Sequence, residues 1–246
     1  MLFDEVVSNP KWQGKDDFPS CGEWKKEINN WLLYIQSKNQ LKRYVPRLNS
    51  FRTQRDETLA EMSSAYFMEV KLRHPVISWE EKTIANRDVD FVILCNASNK
   101  IYCEVKSPGW EGELEQEERL RGRQGLPKHI NAESRSIDPW QNIRYAIKKS
   151  YPKFLPNCKN LLILNDDLFV HILDLPLNID IALYEGMGIY NNEMGYFTAN
   201  EIDNYNNVGG VLIWDCRLTT TMEYRCKFIA NKNAKEPFSI STTIIT

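Results

Sequence analysis

A chain of 246 residues, 42% of them hydrophobic and 26% charged, holds enough material for one sizeable domain with an ordinary polar surface. A formal net charge of −2 and a pI near 6.0 exclude a protein that coats nucleic acid by bulk positive charge, while leaving room for a local basic rim. The six cysteines, at 21, 95, 103, 158, 216 and 226, form no C-x-x-C pair, and there are three histidines, so no pattern of a common cysteine-based zinc site is present.

The cysteines read as reduced structural thiols, since a chain of this size does not need a disulfide framework. Met1-Leu2-Phe3-Asp4-Glu5 lacks the basic and apolar regions of a signal peptide. No run of about 18 apolar residues offers a membrane span. The location expected from these features is cytoplasmic. The sequence shows no internal repeat and no linker-like stretch, so residues 1–246 are expected to form a single domain.

In chain order, Trp24, Ile28, Trp31, Leu32 and Ile35 recur at helical spacing and predict a helix from Cys21 to about Gln40, with Ser20 as its N-cap. A second helix is predicted from Arg52 to Leu72, where Thr53 and Asp56 stand at the spacing of a capping box. Short strands follow at Val76–Glu81, Val89–Leu94 and Ile101–Val105, the last two joined by the turn formers Cys95–Asn99. Ser107-Pro108-Gly109 stops the third strand. After a charged stretch from Glu111 to His129, a helix is predicted from Pro139 to about Tyr151, with Asp138 as N-cap. Leu161–Leu164 reads as a buried strand. Asn178–Tyr184 reads as helical, and Gly209–Cys216 with Met222–Ile229 as a terminal hairpin that extends the sheet. This order predicts an α/β fold with a mixed sheet flanked by helices.

The central hairpin has a testable register. If Asp90 lies opposite Glu104, then Phe91 faces Cys103, Val92 faces Tyr102 and Ile93 faces Ile101. Alternation then puts Phe91, Ile93, Ile101, Cys103 and Val105 on one apolar face. Asp88, Asp90, Glu104 and Lys106 collect on the other, at one end of the pair. Adjacent carboxylates repel and are costly to bury. A hard divalent cation removes that cost, because it prefers carboxylate oxygens.

Asp90, followed in the next strand by Glu104-Val105-Lys106, resembles the D…(D/E)-x-K signature of the PD-(D/E)xK nuclease superfamily. The apolar flanks Phe91–Leu94 and Ile101–Cys103 are similar too, and so is the order helix, three strands, helix, strand from Arg52 to Leu164. Val89 stands where that signature often has proline. The resemblance implies a restriction-endonuclease-like core at 52–164, with a helical N-terminal extension at 1–45 and a C-terminal elaboration at 165–246. It also implies that Asp90, Glu104 and the main-chain carbonyl of Val105 hold Mg²⁺ or Mn²⁺, and that Lys106 serves the attacking water and the transition state. Many members carry a further acid on the preceding helix. Glu57 and Glu61 both offer one, and Glu61 is preferred because Ser63, Ser64 and Ala65 after it allow close packing on the sheet; the resemblance implies that it joins the metal site through a metal-bound water or a second metal.

Gln141-Asn142-Ile143-Arg144-Tyr145 is similar to the Q-x-x-x-Y motif of RecB-like nucleases. Gln141 also stands at N3 behind Asp138, where it completes a capping box, and Tyr145 fits a core position equally well. The histidine that RecB-like nucleases often carry on their first helix has no counterpart. Arg119, Arg121, Arg123, Lys128 and His129 form one basic stretch, and Arg144, Lys148, Lys149 and Lys153 another. Either meets phosphates or is simply a solvated surface. The expected function is metal-dependent hydrolysis of phosphodiester bonds, with DNA as the expected partner. The alternative is an inactive nuclease-fold module that binds nucleic acid or protein. Oligomeric state, a dimer included, is left open.

Overall fold

Among the residues described by the computed structural model (1–7, 22–50, 52–81, 88–95, 99–107, 146, 149–165, 206–218 and 220–245), four α-helices precede the first strand. These are α1 (Leu2–Val6), α2 (Gly22–Ser37), α3 (Leu41–Leu48) and α4 (Arg52–Tyr66). The predicted first helix ends at Ser37, and Asn39 takes a positive φ of 59°. The predicted second helix changes character at its end, where Phe67–Lys71 widens into a π-helical turn. The third helix, α3, has no counterpart among the expected elements. It contains Pro46, which removes one backbone donor past the first turn. Its buried Tyr44 and Leu48 are one turn apart and anchor it.

Six strands form one sheet in the order β1-β2-β3-β4-β5-β6: Val76–Trp79, Phe91–Cys95, Asn99–Lys106, Lys159–Asn165, Gly210–Leu218 and Met222–Ala230. The sheet is mixed. β3–β4 and β4–β5 are parallel, and the remaining pairs are antiparallel. With helices packed against it, this is the expected α/β class. β1 stops at Trp79 instead of reaching Glu81, because Glu80 adopts a left-handed backbone with φ 49°. The β2–β3 register is the expected one, with Phe91 opposite Cys103, Val92 opposite Tyr102 and Ile93 opposite Ile101. The terminal hairpin also forms, running from Gly210 opposite Ala230 to Leu218 opposite Met222.

Alternation divides the sheet into two faces. Phe91, Ile93, Ile101, Cys103 and Val105, continued by Leu161, Ile163, Leu212 and Trp214, share one core with Ile28, Leu32 and Ile35 of α2 and Met62 and Ala65 of α4. Burying each large side chain contributes roughly 1.5–3 kcal/mol. Ser63 and Ser64 sit where α4 meets the sheet, and their small side chains allow that approach. Asn165 Nδ2 donates to Ser63 Oγ and Trp214 Nε1 to Ser64 Oγ, both at 3.0 Å. Those bonds satisfy polar groups that burial would otherwise strand. On the opposite face Val92, Leu162, Leu164, Val211 and Ile213 are buried as well, and among them lies Glu104.

Of the predicted helix Pro139–Tyr151, Ala146, Lys149 and Ser150 are helical, and a 3₁₀ turn at Tyr151–Lys153 follows. The charged stretch from Glu111 to His129 and the segment Asn178–Tyr184 lie outside the described residues. The five described cysteines, Cys95, Cys103, Cys158, Cys216 and Cys226, are free thiols. No described helix is long and apolar enough to cross a membrane.

Candidate active site

The β2–β3 ladder ends at the Phe91–Cys103 pair, and the residues just beyond it carry the chemistry. Asp90 N donates to Cys103 O at 3.1 Å, which keeps the strand in line for one more residue. The Asp90 side chain then takes over from the backbone, its Oδ2 accepting the Val105 N–H at 2.7 Å. A carboxylate that caps the ladder in this way is fixed in position by main chain. Its sequence neighbour Asp88 is exposed. Of the three carboxylates expected at this end of the strand pair, Glu104 is buried and Asp90 half-buried, whereas Asp88, itself in a β-bridge, stays exposed.

Glu104 is fully buried. Its Oε1 accepts from Lys106 Nζ and from Lys153 Nζ, each at 2.5 Å. Its Oε2 is buried and has no hydrogen-bond partner among the described residues. A carboxylate with one oxygen doubly engaged and the other bare is an incomplete arrangement, since a buried charged oxygen without a partner is costly.

Asp90 feels this directly. Burial, then the negative charges of Glu104 and Glu61, push its carboxyl pKa up to about 8, against the opposing pull of the Val105 N–H and Lys106. Burial works against the Lys106 ammonium, but Glu104, Asp90 and, less strongly, Glu57 together hold its pKa above the ordinary lysine value. Lys106 therefore stays a cation.

Glu61 reaches the same neighbourhood from α4 and is buried, whereas Glu57 is exposed. Both Glu61 oxygens are bound by Arg47 in a bidentate pair, Nη1 to Oε2 at 2.7 Å and Nη2 to Oε1 at 2.6 Å. Arg43 Nη2 adds a longer contact at 3.4 Å and bridges to Glu80 at 3.2 Å. Glu61 thus acts on Asp90 through its charge while its oxygens face arginines. Tyr44, buried between them, has its phenol pKa raised well above normal by burial and by Glu61.

The donor set suits a hard divalent cation. Two carboxylates act on one another, one bears an orphaned oxygen, and among the described residues no group of His or Cys ligands joins them. Among the described residues no group of three His, Cys, Asp or Glu side chains is arranged to hold a metal. Asp90 and Glu104 are, among the described residues, the carboxylates that could hold such a cation, and a hard divalent cation would take its remaining ligands from water or main chain.

Sequence reasoning places Asp90, Glu104, Lys106 and Glu61 in one neighbourhood, and the structure brings them there. It missed Arg43 and Arg47, whose spacing of one turn on a short polar helix was the available signal. It placed Lys153 in a basic stretch that either meets phosphates or is a solvated surface, and did not anticipate its contact with Glu104. Arg119, Arg121, Arg123, Lys128, Gln141, Arg144, Tyr145 and Lys148 lie outside the described residues.

No protein-family profile matches the chain, and no curated protein sequence is similar to it. Among solved structures, Pyrococcus furiosus SfsA in complex with Ca²⁺ is similar at 15% identity and a TM-score of 0.25. The match covers 70% of this chain and 61% of that one, so the chain spans about three fifths of that structure's length. A TM-score of this size carries no argument about activity.

Proposed function

We propose that this chain is a metal-dependent nuclease of the PD-(D/E)xK type that hydrolyses phosphodiester bonds, with DNA as its substrate. The observation that carries the reading is the pairing of Asp90 with a buried, half-satisfied Glu104 beside the cationic Lys106 at the end of one β-hairpin. In this reading Asp90 and Glu104, with the carbonyl of Val105, hold Mg²⁺ or Mn²⁺. A cation held there supplies Lewis-acid activation of a water and withdraws charge from the phosphoryl oxygen.

The protein's own groups do the rest. Asp90 is kept in place by its bond to the Val105 N–H, so the carboxylate pair does not have to be assembled when substrate arrives. Lys106, whose pKa is raised, acts as a charged donor that orients the nucleophile and offsets negative charge growing on the phosphate. A lysine held in this way is a poor general base, so proton removal from the water falls to bulk solvent or to a carboxylate. Glu61 tunes Asp90 electrostatically from α4, and its arginine partners keep it pointed there.

The test is a substrate panel: circular and linear DNA, single- and double-stranded, and RNA, each with Mg²⁺, Mn²⁺ or EDTA. Cleavage of DNA that requires the metal is expected. Binding without cleavage under every metal would favour an inactive nucleic-acid-binding module, and neither binding nor cleavage would favour a protein-interaction role.

A further inference from the structure

We infer that Lys153 is a phosphate-binding residue of the active site, released from Glu104 to the substrate backbone; the inference rests on the nuclease reading above. Lys153 ends the 3₁₀ turn Tyr151–Lys153, 49 positions after Glu104 in the chain. Its reach to Glu104 is set by the backbone around it. Ser150 is buried and donates to Ala146 O at 2.7 Å, Phe154 is buried, and Leu155 O accepts from Asn160 Nδ2 at 2.8 Å.

The charge count then points to an anion. Lys106 and Lys153 each lie 2.5 Å from the same oxygen, so their ammonium groups are no more than about 5 Å apart, and like charges at that range repel strongly. One carboxylate balances one of them. Asp90 and Glu104 carry at most two negative charges against these two positive ones, and Glu61 is already matched by Arg43 and Arg47. Once a divalent cation takes the carboxylates, neither lysine keeps a carboxylate in direct contact among the described residues. A phosphodiester brings the missing negative charge and accepting oxygens. Lys106, two residues from Glu104 on the same strand, has little freedom to leave. The two lysines are exposed to a similar, partial extent, but Lys153 stands on a separate element from the carboxylates and can turn to a backbone phosphate while Lys106 stays beside the reacting group.

Two effects of opposite sign follow from removing this one charge. With Lys153→Gln, Ca²⁺ or Mn²⁺ titrated into protein without nucleic acid should bind several-fold more tightly, because one repelling cation is gone. The same variant should bind a fluorescent DNA oligonucleotide about tenfold more weakly in Ca²⁺, with the slope of log K against log salt reduced by about one. Lys153→Arg should restore most of the DNA affinity. Circular dichroism melting shows whether either variant is folded. A purely structural lysine moves neither affinity in the folded variant, and unchanged metal and DNA binding in Lys153→Gln overturns the assignment. Wild-type cleavage together with an unchanged Lys153→Gln removes Lys153 and leaves the nuclease standing. A wild type that neither binds nor cleaves nucleic acid removes both.

Discussion

Raising the pH of the metal-free protein destabilises its fold through one carboxyl group. Asp90 gives up its proton at about 8 in the folded chain, because of burial and the charges of Glu104 and Glu61, and near 3.8 when unfolded. Between those values the native state holds a proton that the unfolded state has lost, so stability falls as pH rises. The contribution is complete below 3.8 and gone above about 8. Its slope is at most about 1.4 kcal/mol per pH unit. Asp90 keeps some contact with solvent, and screening there reduces the shift, which narrows the pH window and leaves the slope within it unchanged. Going from about pH 5 to about pH 8 then costs roughly 2 kcal/mol, or on the order of 5 °C in melting temperature for a chain of this size. Asp90→Asn has no proton to lose and keeps an oxygen for the Val105 N–H. Thermal melts of both proteins in EDTA at the two pH values isolate the effect, since all other groups cancel in the difference. The variant should gain on the wild type as pH rises. Melting temperatures that shift in parallel, or a wild type that gains on the variant, would refute the account of Asp90.

Other substitutions test the remaining parts of the account. Asp90→Ala, Glu104→Ala and Lys106→Ala should each abolish cleavage while far-ultraviolet circular dichroism stays native; an active Glu104→Ala would move the site elsewhere. Glu61→Gln should lower the cleavage rate more than Glu57→Gln, since Glu61 is the one whose charge reaches Asp90, and the reverse order would shift the assignment one turn. Ser64→Ala leaves Trp214 Nε1 without its acceptor and should cost about 1–2 kcal/mol in urea unfolding; no loss would mean the indole finds another partner. Neutralising Arg119, Arg121 and Arg123 together should flatten the salt dependence of DNA binding by about three units of slope, measured by anisotropy in Ca²⁺. An unchanged slope would take that stretch out of the interface.

The central hairpin was legible in the sequence because a strand's period of two leaves few choices. One apolar face, one turn of fixed length and one acid at the end of each strand determine the register from Phe91 to Ile101. The end of the pattern was not legible. Asp88 looks like a third gathered acid by alternation alone, yet it is exposed, and alternation records which face a side chain takes but not how deeply that face is covered at the sheet's end. Helix α3 was hidden by Pro46 and by its high content of basic residues. Its arginines cannot be told from solvated ones until Glu61 is placed beside them. Lys153 was hidden for a similar reason. Parallel pairing of β3 with β4 brings the end of the crossover over Glu104, and no local pattern records a contact made across 49 positions. The terminal hairpin was readable as strands, but Trp214 hydrogen-bonding to Ser64 across the core was not.

The central claim is that Asp90 and Glu104 form a metal centre for phosphodiester cleavage. Supercoiled plasmid incubated with wild type and with Glu104→Gln, in Mg²⁺ and in EDTA, tests it in one gel. The amide keeps the size and one accepting oxygen of Glu104 but removes the charge that a hard cation needs. Nicked or linear DNA should appear with the wild type in Mg²⁺ alone. Cleavage that persists in EDTA, or that Glu104→Gln performs as well as the wild type, would contradict the account.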